Sequence, residues 1–88
     1  MPQTIDETLQ ERGDKYGKFS DHARLSQSIK RAMAQGKQWD RMSDDKREAL
    51  EMVAHKIARI LNGDPNHHDS WHDIIGYTKL VADTLKTE

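Results

Sequence analysis

The side chains that could do chemistry gather in the second half of this 88-residue chain. Glu48-Ala49-Leu50-Glu51 is an E-x-x-E pair; on a helix, residues three apart stand one turn from each other on one side, so the two carboxylates can share a divalent cation such as Mg2+. Asp69 and Asp73, four apart, can face one ion in the same way. Asp69 also has a plain role as a helix cap. Asp73 stands near Gly76, a residue that weakens a helix and so points to close packing or to a ligand. Glu48, Glu51, Asp69 and Asp73 are therefore the candidate metal ligands, with Glu48, Glu51 and Asp73 as the candidate catalytic group. Lys56 and Arg59 follow on the same helix, and two readings compete for them. They are ordinary i, i+3 and i, i+4 partners of carboxylates, worth a few tenths of a kcal/mol, or they contact phosphate groups whose charge a bound metal shares.

His67, His68 and His72 form a histidine cluster, and a helix that began early would give His68 and His72 the i, i+4 spacing of paired zinc ligands. Zinc needs a third or fourth protein ligand, and only a carboxylate lies nearby in sequence, so these read as surface or loop histidines. Trp39, Trp71, Tyr16 and Tyr77 read as core or interface residues, stacking on a base being the alternative. No glycine loop of P-loop type and no Ser/His/Asp order stands out. The chain has no cysteine, which removes disulfides, thiolate zinc sites and thiol nucleophiles.

The elements that must position these residues are helices. Thr4-Ile5-Asp6-Glu7 is a capping box, predicting a short helix from about Ile5 to Arg12 that ends at Gly13, with a loop over 13–19. Ser20 caps a second helix whose stripe is Leu25, Ile29, Ala32 and Met33, closed by Gly36, with Trp39 in the linker beyond. Ser43, Asp44 and Asp45 start a central third helix; Leu50, Val53, Ala54, Ile57, Ile60 and Leu61 are its core-facing stripe, and Gly63 stops it. By the same spacing Glu48, Glu51, His55 and Arg59 lie nearly opposite that stripe, on a face ordinarily given to solvent. Asp64-Pro65-Asn66 is a tight connection to a fourth helix, capped by Asp69 and running to about Lys86, with an apolar face of Trp71, Ile74, Ile75, Thr78, Val81 and Leu85. The expected fold is an all-α bundle of about four helices in a single domain over 1–88, with antiparallel neighbours across short links.

Composition limits the core. Leu, Ile, Val and Phe together number 15 of 88 residues, below the roughly one-fifth that warns of disorder, yet 14 basic residues nearly cancel 15 acidic ones. A chain this small, without disulfides, commonly gains the missing burial by associating with copies of itself, so a homo-oligomer is expected. The balanced charge argues against nucleic acid as a partner. No apolar run approaches the roughly 18 residues of a membrane span and no signal-peptide core follows Met1, so the expectation is no membrane and a cytoplasmic location.

Arg12-Gly13-Asp14-Lys15-Tyr16-Gly17-Lys18-Phe19, Lys56-Ile57-Ala58-Arg59 and Asp69-Ser70-Trp71-His72-Asp73-Ile74-Ile75-Gly76-Tyr77, in this order, resemble a family of small phage and prophage proteins of unassigned function. More remotely the chain is similar to the all-α nucleotide pyrophosphohydrolases of the MazG type, whose paired helices carry E-x-x-E and then E-x-x-D around magnesium. Glu48 and Glu51 match the first pair and Asp73 the final aspartate, whereas Ser70 stands where the second glutamate would be. Asp69 is the neighbouring substitute, turned by about 100° on a helix. The resemblance implies a phage accessory protein in the host cell cytoplasm that binds a nucleotide or small phosphorylated ligand, with Lys56 and Arg59 on the phosphates and Mg2+-dependent hydrolysis as the implied chemistry. Two alternatives stand beside it: a non-catalytic protein that sequesters a host defence factor or a nucleotide signal, which the missing glutamate favours, and a purely structural helical interaction module.

Overall fold

Thr4 begins the first helix by the mechanism its neighbours predict. In the computed structural model, which describes residues 2–85, the Thr4 hydroxyl accepts from the Glu7 N–H at 3.1 Å and the Glu7 carboxylate accepts from the Thr4 N–H at 3.1 Å, a complete capping box. These bonds hold the Glu7 carboxyl below its ordinary pKa. Thr4→Ala is expected to cost about 1 kcal/mol of helix stability, read as amide exchange roughly fivefold faster in the first turn.

The first helix, α1, spans Ile5–Tyr16 and so runs through Gly13. An interior glycine costs a helix only about 1 kcal/mol, and here the chain leaves the helix at Gly17, which has φ 79° and whose N–H bonds the Gly13 carbonyl at 2.9 Å. Helix α2 covers Phe19–Met33 with Lys18, not Ser20, at its N-cap. It ends three residues before Gly36, and a single 3-10 turn at Trp39–Arg41 precedes α3. Helix α3 is Asp44–Asn62, begun at Ser43 and stopped at Gly63 as its sequence predicts. Helix α4 is His68–Ala82 with His67 as N-cap, followed by a 3-10 turn at Asp83–Leu85. Asp69 is thus the second residue of α4 and not its cap; the expected end at Lys86 lies outside the described residues. The fold is all-α with four helices and no strand among the described residues, and no helix among them is long and apolar enough to cross a membrane.

Helix α3 is central and packs chiefly on α4, then on α2, with α1 touching both α2 and α3 more lightly. Apart from His22 and Lys56 the buried residues are small: Ala49, Ala54 and Ala58 on α3, Ser26 on α2 and Ser70 on α4, and no large side chain falls below 2 % exposure among the described residues. Small residues let helix axes approach closely, so contact is made by backbone and Cβ atoms with little apolar area between them.

This packing buries Ala54 of the expected core and half-buries Val53, Ile57, Ile60, Ile74 and Val81, but corrects the rest. Leu50 is 39 % and Leu61 65 % exposed, and on α4 Trp71 is 52 % and Ile75 63 % exposed. At 100° per residue Leu50, Ile57 and Leu61 fall within about 40° of one another on α3, while Ala54 and Ala58 lie on one flank and Ala49 and Lys56 on the other. The flanks meet α2 and α4, and the stripe between them faces outward. The side carrying His55 and Arg59, expected in solvent, is half-buried beneath α1 and α2.

Candidate functional site

Asn62, the last residue of α3, builds one side of the site by gripping the end of α1. Its Nδ2 donates to the carbonyls of Tyr16 and Lys18, both at 3.0 Å, and the Asp64 N–H donates to the Lys15 carbonyl at 2.8 Å. Both glycines at this crossing are required by close approach. A Cβ on Gly17 would overlap the Asn62 carbonyl, and one on Gly63 would overlap the Lys15 carbonyl and the Tyr16 backbone. The Tyr-Gly loop is therefore clamped on the carboxyl end of α3.

That clamp opens a cleft of about 460 Å³ between α1, the start of α2 and α3. Arg12 and Tyr16 from α1, Lys18 from the link, Phe19 and His22 from α2, and His55 and Arg59 from α3 line it. Three of these side chains are cations and none is a carboxylate. The Arg59 guanidinium lies over the Tyr16 ring at 4.2 Å, an attraction of cation to ring face that fixes its direction. Tyr16 is in turn met edge-on by His67 with centroids 5.7 Å apart.

The floor of the cleft is a histidine pair. His22 and His55 meet edge to face at 4.5 Å; His22 is only 6 % exposed, and its Nδ1 is buried with no hydrogen-bond partner among the described residues. A buried polar nitrogen left without a partner costs free energy. Burial, reinforced by the positive charge of Arg59 and Lys30, lowers the His22 pKa. Burial first, then Arg59 and His22, lowers that of His55 to about 4. Both rings are thus neutral near pH 7, each with one donor and one acceptor nitrogen.

The carboxylates expected to hold a metal lie elsewhere. Glu48 and Glu51 line a broad open cleft of about 580 Å³ with Trp39, Asp44, Asp45 and Arg47; Arg47 is anchored there by its Nε bond to the Trp39 carbonyl at 2.8 Å. Asp73 is on the α3–α4 seam, where one oxygen accepts from Lys56 Nζ at 2.9 Å. That bond, more than any other cause, depresses the Asp73 pKa. Lys56 is buried and committed to Asp73, so of the two expected phosphate contacts only Arg59 faces a cleft. Asp69 sits 3.9 Å from both His67 and His68. Helix α4 does start early enough for His68 and His72 to pair, and their rings stack at 5.5 Å. Within one chain, no group of three or more His, Asp or Glu side chains placed to hold a metal occurs among the described residues, so Glu48, Glu51, Asp69 and Asp73 are not brought together as a magnesium site. Gly76 faces open space, with nothing near its would-be Cβ.

Arg12, Lys18 and Phe19 of this cleft fall in the Tyr-Gly stretch that carries the resemblance but, like His22, are not among the candidate site residues of the sequence. Arg12 and Tyr16 are one turn apart, a signal hidden by ending the first helix at Gly13. The His22–His55 contact has no local signature at all.

No curated protein and no solved structure matches the chain. Residues 3–85 do match the family described as a domain of unknown function, DUF6378, and because that span is nearly the whole molecule, the chain belongs to this family.

Proposed function

We propose that the protein binds a nucleotide or similar small phosphorylated ligand in the cleft between α1, α2 and α3. The observation that carries this reading is the concentration of Arg12, Lys18 and Arg59 around one cavity without a lining carboxylate. Three cations lining a partly enclosed site attract a polyanion, and guanidinium groups match phosphate oxygens bidentately. The exposed Phe19 ring at the mouth offers a face for a planar base. Arg59 keeps the phosphate-binding role that the resemblance implies; Lys56 instead neutralises Asp73.

The reading is one of binding. The magnesium chemistry of the resemblance needs Glu48, Glu51 and Asp73 on one ion, and the donor set of a single chain does not suit it, because Asp73 is held by a buried ammonium and the two glutamates line a different cleft. No hydrolytic step is therefore assigned to these carboxylates.

Titration calorimetry with nucleoside mono- and triphosphates, run with magnesium and with a chelator, tests the proposal. Binding that survives the chelator is expected, and Arg59→Ala or Arg12→Ala should weaken it by roughly 10- to 100-fold, the range for losing a charge-assisted hydrogen bond. Glu51→Gln and Asp73→Asn should leave affinity within about threefold of the parent. Absence of heat with every nucleotide and with pyrophosphate would remove the reading. Magnesium-dependent release of pyrophosphate, abolished by Glu51→Gln, would restore the hydrolytic one.

A further inference from the structure

The outward stripe of α3 and the neighbouring side of α4 form one apolar face. Lys56 and Asp73 meet across the α3–α4 seam, and on α3 Lys56 lies about 60° from Arg59, whose guanidinium packs on Tyr16 of α1. Helical geometry therefore puts Leu50, Ile57 and Leu61 of α3 with Trp71 and Ile75 of α4 on the side away from α1. Trp71 is pinned in place there by its Nε1 bond to the Pro65 carbonyl at 2.8 Å, which fixes a large ring in the open at the end of the face.

The molecule exposes more surface than a compact monomer of its mass. A chain of 10.2 kDa should present about 5,300 Å², and this one presents 6728 Å², an excess of about 1,400 Å² on the same scaling. Its radius of gyration is 15.3 Å with extents of 50 × 28 × 23 Å, against about 12 Å for a compact domain of this length. Part of the excess belongs to α1, whose Ile5 and Leu9 also stand out. A standard interface takes about 800 Å² from each partner, a little over half of that excess.

We infer that this face binds a second copy of the chain, so that the α3–α4 pairs of two protomers close into a four-helix bundle. An isologous contact needs only one self-complementary patch. Leu50, Ile57, Leu61, Trp71 and Ile75 carry no charge that would meet its own kind across a two-fold axis. A single layer of helices, apolar on the side away from α1, is completed by a second layer, and the copy supplies the large-side-chain core that one chain lacks. The inference stands on α3 and α4 and does not depend on what the α1–α2–α3 cleft binds.

Sedimentation velocity across 1 to 200 µM tests it, with circular dichroism on every sample. The parent is expected at about twice the 10.2 kDa chain mass, with a melting temperature that rises with concentration, as folding coupled to association requires. Leu61→Glu with Ile75→Glu should give monomer or an unfolded chain, whereas Leu80→Glu, on the other side of α4 and equally exposed, should leave the dimer intact. A parent at monomer mass with a concentration-independent melting temperature overturns the inference. So does a dimer that tolerates the paired glutamates, or one that Leu80→Glu dissociates, since either moves the contact to another face.

Discussion

Gly17→Ala is expected to lower the melting temperature by about 15 °C, the equivalent of about 3 kcal/mol in a domain of this size. Two costs combine. The residue holds φ 79° and ψ −168°, a region that residues with a side chain occupy only at a cost of order 1–3 kcal/mol, and the new Cβ would overlap the Asn62 carbonyl. Relief by moving the loop would break both Asn62 bonds, to Tyr16 and to Lys18, and would disturb the cleft they shape. Gly13→Ala is the control. Its Cβ meets nothing and its place is interior to α1, so a gain of up to about 1 kcal/mol is expected. Thermal melts by circular dichroism separate the two; a Gly17→Ala protein melting within 3 °C of the parent would mean that the crossing is not held as described.

Acidification from pH 7 to pH 5 should destabilise the protein by on the order of 1 to 2 kcal/mol, before any carboxylate with a lowered pKa begins to titrate. His22 and His55 are both shifted down from 6.5, His55 to about 4. A histidine whose folded pKa is depressed binds fewer protons in the folded state than in the unfolded chain. Stability is therefore fully present above about pH 6.5, falls as pH drops below it, and stops falling near pH 4, where the folded ring also protonates. The lower end of the range reflects the partial solvent exposure of His55, which screens the effect. Urea unfolding at half-unit steps reads the slope, and His55→Gln should remove most of it. A flat profile between pH 7 and pH 5 in the parent would show that the imidazoles protonate freely where they stand. Below pH 4.5 a second loss is expected, since Glu7, Glu11, Asp45 and Asp73 have lowered values and their stabilisation disappears as they take up protons.

Particular residues show how far a reading of the chain reaches. Thr4 and Glu7 announce a capping box and make one, because all its atoms lie within four residues. Gly63 stops α3 where a glycine after a long apolar period should. Gly13 misleads, because a glycine's cost to a helix is small enough for flanking turns to absorb. The error propagates, since it hides the one-turn spacing of Arg12 and Tyr16 on which the cationic cleft depends. Arg59 is legible as a candidate phosphate contact and does face a cleft; Lys56, three residues earlier, is equally cationic but is turned by helical geometry towards Asp73.

Local hydrogen bonding and the periodic placement of apolar groups act over a few residues, and those determined four helices, the start of α1, both ends of α3 and the shortage of large core side chains. Which side of α3 is covered was decided by its neighbours. Alanine and serine at the contacts allow α2 and α4 to close on its flanks, leaving the leucine stripe outside and drawing His55 and Arg59 under α1. The clamp of Asn62 on the Tyr-Gly loop spans 46 residues, and the meeting of His22 with His55 likewise exists only once three helices have packed, because no spacing along the chain encodes a distance across it.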